Sequence, residues 1–186
     1  MAGIKVPLNY SNNKNADGQP LPLDYQSSIG TYDLILGFRA AIKKITLSAG
    51  AQLPLEQVNE NAFFPELYTD SAAYKYSPTN DFERKSDLLF RASYNIAFEK
   101  SSILLQPNLL AIYHLGNDSY FDLSGTRVTI ENSQGLTLNA GATTTKSFKN
   151  ASALEILIAA PLVVREVRPD GLTRSFVLNL QYKIPF

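Results

Sequence analysis

Phe176-Val177-Leu178-Asn179-Leu180-Gln181-Tyr182-Lys183-Ile184-Pro185-Phe186 closes the chain, with Phe176, Leu178, Leu180, Tyr182, Ile184 and Phe186 alternating against Asn179, Gln181 and Lys183. A period of two sends alternate side chains to opposite faces of an extended strand. The same period recurs upstream. Tyr32, Leu34, Leu36, Phe38, Ala40 and Ile42 stand against Asp33, Ile35, Gly37, Arg39 and Ala41, and Ile45, Leu47, Ala49, Ala51, Leu53 and Leu55 stand against Thr46, Ser48, Gly50, Gln52 and Pro54. Leu88, Phe90, Ala92, Tyr94, Ile96 and Phe98 oppose Asp87, Arg91, Ser93 and Asn95. Residues 103–115 are more apolar on both faces, with Gln106, Asn108 and His114 on the polar side. Leu136, Leu138, Ala140 and Ala142, then Leu154, Ile156, Ile158, Ala160, Leu162 and Val164, continue the series, and Ile4, Val6, Leu8 and Tyr10 fit the end of one more strand. The pattern predicts about eight strands and no helix.

The connections sort by length. Those at 43–44, 99–102 and 146–150 are short, whereas 11–29, 56–85 and 116–134 are long and rich in Asn, Asp, Pro and Ser. Residues 168–171 read as a tight turn that breaks the alternation. In an up-and-down sheet this spacing gathers the long loops at one end, as in outer-membrane barrels. Period alone leaves a soluble β-sandwich or a lipocalin-like barrel open, with the apolar face turned inward. The polar face decides between them. It carries Thr, Ser, Asn, Gln and Gly rather than the dense Lys, Glu and Arg of a water-facing surface, which suits a confined lumen. The apolar faces run over about ten residues, the length of a tilted membrane strand. Residues 1–186 are therefore expected to form one all-β domain, an antiparallel up-and-down transmembrane β-barrel. It would be either a complete barrel or the C-terminal part of a larger one.

Composition removes other classes. Lys+Arg and Asp+Glu balance at 17 each, which gives no basic footprint for nucleic acid. No cysteine is present, so disulfides, thiolate metal sites and thiol nucleophiles are absent together. His114 is the only histidine, too little for a transition-metal site, and no G-x-S-x-G motif accompanies it. Asn12-Asn13-Lys14-Asn15-Ala16-Asp17-Gly18 lacks the alternating acids and closing Glu of a calcium loop and reads as a turn. No enzyme activity, metal or cofactor is expected. The opening Met1-Ala2-Gly3 shows no apolar signal-peptide core, and no apolar run is long enough for a membrane helix.

The closing alternation Leu178, Leu180, Tyr182, Ile184 and Phe186 resembles the C-terminal signal of bacterial outer-membrane proteins. That resemblance implies residence in the cell outer membrane, contact with its lipid, and recognition by the barrel assembly machinery during biogenesis. A second pattern spans more of the chain. Ala2-Gly3-Ile4-Lys5-Val6-Pro7-Leu8 followed by Ser28-Ile29-Gly30-Thr31-Tyr32-Asp33-Leu34 is repeated as Ala49-Gly50-Ala51-Gln52-Leu53-Pro54-Leu55 followed by Lys85-Ser86-Asp87-Leu88-Leu89. Ala159-Ala160-Pro161-Leu162 is a fainter copy. This is similar to barrels of the meta-pathway phenol-degradation type, although Leu8 and Leu55 replace the Thr-Gly of that pattern. The resemblance implies passage of small hydrophobic compounds.

On this reading Lys5, Asp33, Arg39, Asp87, Arg91, Glu155, Arg165 and Lys183 face the lumen, as a selectivity lining or as an ion-pair network filling a narrow barrel. Phe63, Phe64, Tyr68, Tyr74 and Tyr76 lie in a long external loop, where they cover the mouth, bind a protein partner or pack the loop itself. The expected function is a passive channel or transporter for a small or hydrophobic solute. The alternative is a plugged structural or interaction barrel working through its long loops or as a subunit of a larger complex.

Overall fold

The computed structural model describes residues 1–170 and 175–185. Its strands are β1 (Ala2–Lys5), β2 (Thr31–Ile42), β3 (Ile45–Gln57), β4 (Asp87–Tyr94), β5 (Ile96–Phe98), β6 (Ile103–His114), β7 (Ser119–Phe121), β8 (Arg127–Thr129), β9 (Gly135–Ser147), β10 (Ala153–Val163) and β11 (Val177–Lys183). One antiparallel sheet takes nine of them along the path β1-β2-β3-β4-β6-β9-β10-β11, with β5 paired to β6. Asn95 interrupts β4 and β5, which share β6 as a neighbour and so occupy one position. β7 and β8 form a separate small hairpin. Among the described residues the only helices are short 3-10 turns, at Leu23–Tyr25, Pro65–Leu67, Ser71–Lys75 and Glu99–Ser101.

The order is up and down, as the alternation requires. The sheet is not closed: among the described residues β1 pairs only with β2 and β11 only with β10. Both outer strands are shorter than their apolar patterns. β1 stops at Lys5, ahead of Val6, Leu8 and Tyr10, because Pro7 has no N–H to donate to a ladder. β11 stops at Lys183, opposite Ala153, the first residue of β10. Ile184 is left outside the strand, next to a Pro185 that again lacks a donor, and Phe186 lies outside the described residues. Of the expected tight turn at 168–171, Pro169 and Asp170 are in a turn after β10, and Gly171 lies outside the described residues.

Register places the polar set on one face. Lys5 pairs with Asp33, Arg39 with Ser48, Ser48 with Arg91, and Glu155 with Gln181. One row runs Gln52, Asp87, His114, Gly135 across β3, β4, β6 and β9. The opposite face is apolar and uncovered: Ile4, Phe38, Phe90, Leu109, Ile158, Leu178 and Leu180 are all exposed, Phe38 by 70% and Leu178 by 64%. Burial is thus inverted relative to a water-soluble sheet protein, in which large apolar side chains go inside and carboxylates stay out. Here Asp33 is 0% exposed and His114 1%.

The apolar core lies in the long connections. Leu23, Phe82 and Ile130 form a buried cluster, with Ile29, Tyr120 and Val167 packed against it. These side chains come from four separate connections, so the loops at that end fold into one layer. Asn61 pins it. Its amide donates to the carbonyls of Ser11 and Leu21, 2.9 Å each, while its Oδ1 accepts from Phe63 N at 3.0 Å and Thr79 Oγ1 at 2.7 Å.

Candidate functional site

A belt of charged and polar groups crosses the polar face at the loop end. Lys5 and Asp33 form an ion pair, and the Gln52 amide donates to the same carboxylate. Beyond Gln52 the row continues with Asp87, whose Oδ1 lies 2.6 Å from His114 Nδ1. On the other side of the ring, His114 Nε2 is 2.7 Å from Asp118 Oδ1. A neutral imidazole has one donor and one acceptor nitrogen. With both carboxylates ionised, both ring nitrogens must donate, and His114 then has no lone pair free to act as a general base.

The loops add further members to the belt. Arg84 pairs with Asp87 and places its Nε 3.0 Å from Asp170 Oδ2. Arg165 pairs with Asp170 and donates to the Ser133 carbonyl at 2.7 Å. Asp118 accepts from the Lys85 amide at 2.9 Å, and its own N–H reaches Ser133 Oγ at 2.7 Å. Burial disfavours the charged form of Asp170, but the Arg84 and Arg165 guanidinium groups outweigh it and hold this carboxyl below the ordinary aspartate value. Four carboxylates (Asp33, Asp87, Asp118 and Asp170) thus meet the cations of Lys5, Arg84 and Arg165 and the His114 ring.

Gly135 makes room for this arrangement. Its φ of +146° is one that a side chain rarely adopts, and an added Cβ would lie 3.3 Å from Arg165 Cβ. A cavity of about 260 Å³ remains between Gln52, Asp87, His114, Arg165, Arg168 and Asp170.

Each expected lumen residue has a definite place. Lys5, Asp33, Asp87 and Arg165 belong to the belt. Glu155 and Lys183 pair with each other at 2.7 Å near the short-turn end. Arg39 and Arg91 sit in mid-sheet on the same face, flanking Ser48, and have no ion pair or hydrogen bond from their side chains among the described residues. Beside them a trough of about 600 Å³ is lined by Met1, Ile35, Gly37, Gly50, Leu89 and Leu110.

The aromatic loop residues divide. Phe63 and Phe64 are buried, so their rings pack the loop layer and are not presented to a partner. Tyr68 packs at a tilt against Phe63 with centroids 5.1 Å apart and donates to the Pro20 carbonyl, and the Tyr76 and Tyr25 hydroxyls share a hydrogen bond at 2.8 Å. Only Tyr74 of this group stands exposed. Of the closing alternation, Leu178, Leu180, Tyr182 and Ile184 are exposed and Phe186 lies outside the described residues.

Arg84, Asp118 and Asp170 were not anticipated, because they lie in loops without periodicity. The one local hint is the three-residue spacing of Arg84 and Asp87. No family model matches the chain, no curated protein is significantly similar to it, and no solved structure matches its fold.

Proposed function

We propose that the chain forms the wall of an outer-membrane β-barrel and serves as a passive channel or transporter for a small, largely apolar solute. One observation carries this reading: the sheet exposes a continuous apolar face while its other face buries paired charges. In water the apolar face would be a large aggregation-prone patch. Against lipid tails it is the stable arrangement. Lipid also demands that no strand edge be left open, since an unpaired backbone group in hydrocarbon has no partner. The free edges of β1 and β11 then meet each other or are bridged by further strands. The troughed polar face becomes the lumen, and the long loops stand at the external mouth.

The test is reconstitution of refolded protein in a planar bilayer. Stable single-channel currents, altered by added solute, are the expected result. Protein that stays monodisperse in buffer without detergent would overturn the membrane reading.

A second reading has its own support. The loop layer is folded and has a buried apolar core of Leu23, Phe82 and Ile130 over the end that holds the charged belt. A correctly inserted protein without conductance would make it a plugged scaffold that works through its loops.

A further inference from the structure

Among the described residues, charge pairing on the polar face of the sheet strands is complete except at one place. Lys5 is answered by Asp33, Lys183 by Glu155, Asp87 by Arg84 and His114, and Arg165 by Asp170. Arg39 and Arg91 are answered by nothing among the described residues. They occupy one cross-strand row, with Ser48 between them. Two strand spacings separate their backbones, roughly 10 Å, so both flexible side chains can turn toward one small group between them. Thr46, Ser48, Ser93 and Gln106 line the pocket they share, adding neutral hydrogen-bonding groups and no carboxylate. Two like charges placed side by side repel each other, and an anion between them removes that repulsion.

Next to this cationic pair the face is hollow and apolar. Gly37 and Gly50 oppose each other on β2 and β3 and contribute no side chain. At Gly50 an added Cβ would fall 2.8 Å from the Leu36 carbonyl oxygen, so the backbone itself forms that part of the floor. Ile35, Leu89 and Leu110 supply apolar walls to the trough of about 600 Å³, within the range of small-molecule sites. Arg39 and Arg91 border the same trough.

We propose that this trough binds a small amphiphilic carboxylate, its head held by Arg39 and Arg91 and its apolar body lying over Gly37 and Gly50 against Leu89 and Leu110. Guanidinium groups bind carboxylates with paired, charge-assisted hydrogen bonds, and an apolar solute without a head would leave both arginines unanswered. The assignment rests on the transport reading for its biological role and names the solute class for it. Binding itself is separable from passage.

The experiment is equilibrium binding of radiolabelled decanoate and decanol to refolded protein in phosphatidylcholine nanodiscs, with empty nanodiscs subtracted. Saturable decanoate binding is expected, with decanol at least about tenfold weaker. Arg39→Gln and Arg91→Gln should each weaken decanoate by about tenfold, and the double variant should bring it to the level of decanol. Decanol binding should not move in any variant. Folding of each variant is checked by heat-dependent migration on a gel, and Arg39→Lys, which keeps the charge, should restore part of the affinity.

Equal affinity for decanol and decanoate would overturn the proposal, as would unchanged decanoate binding in a folded double variant. Loss of decanoate binding when phosphatidylglycerol is added to the disc would assign the arginines to a lipid head group instead, and also overturn it. A protein that binds decanoate but conducts nothing leaves this site standing and removes transport. One that conducts without binding decanoate does the reverse.

Discussion

Arg84 and Asp170 stand 86 positions apart in the chain and meet at the loop end of the sheet, with Arg84 Nε 3.0 Å from Asp170 Oδ2. Each also holds a residue on or beside the sheet, Arg84 reaching Asp87 of β4 and Asp170 reaching Arg165 just after β10. Asp170 is thereby a single carboxylate shared by two buried guanidinium groups. It joins the connection before β4 to the one after β10, at the loop end of the polar face.

Removing that carboxylate leaves both cations without it. Asp170→Ala should lower the unfolding free energy by about 3–5 kcal/mol, the usual loss when one partner of a buried pair is deleted. Urea unfolding of the refolded protein checks it. A change below about 1 kcal/mol would place the pair in the class of solvent-screened surface bridges.

The same pair predicts an acid limb. Asp170 titrates below the ordinary aspartate value of 3.8 because Arg84 and Arg165 favour its charged form despite burial. A depressed folded pKa gives stability that is whole above the unfolded value and lost as pH falls through the folded one. Stability from this group should therefore be constant from neutral pH down to about 4 and decline below that. The difference in unfolding free energy between wild type and Asp170→Asn, followed with pH, should be flat above about 4 and shrink beneath it. A difference that changed between pH 8 and 5 would show that some other group carries the effect.

Leu178 and Asn179 are neighbours in β11 that face opposite ways, Leu178 opposite Ile158 at the middle of β10 and Asn179 opposite Leu157. If the apolar face meets lipid, Leu178→Arg should cost about 2–4 kcal/mol, as cations do near the bilayer midplane. Asn179→Arg should escape that membrane term. Unfolding from lipid vesicles measures both, and equal losses or the reverse order would reject the face assignment.

Strand order and face were legible because both depend on local period. Asp33, Arg39 and Arg91 could be assigned to one side from alternation alone, and the register agrees. The belt was not legible, since its geometry depends on groups brought together from distant loops. Nothing near Asp118 announces a hydrogen bond to His114, and Arg165 reaches its place only after the β10 register shifts between Pro161 and Val163. The β7–β8 hairpin was also missed. Its strands are three residues long, too short for a period to register, and Asp122 sets its turn by accepting from Ser124 N and Thr126 N. Phe63 and Phe64 show a further gap: sequence marks an aromatic loop, but only packing decides whether its rings go in or out.

Asn61 offers the sharpest test of the loop layer. It is 1% exposed, and its amide uses both donor hydrogens and both acceptor lone pairs. Asn61→Asp keeps the shape but replaces the donating end with an acceptor facing the carbonyls of Ser11 and Leu21. Those oxygens lose their partner and the new carboxyl is buried against them, so a loss on the order of 3 kcal/mol is expected. It should fall on the loops first, because the partners of the Asn61 side chain, Ser11, Leu21, Phe63 and Thr79, all lie in the connections. Limited trypsin digestion should cut faster at Lys14, Lys75 and Arg84 in the variant, while the heat-dependent gel shift of the folded sheet persists. Loss of that shift together with loop cleavage would mean the sheet depends on the loop layer for its own stability.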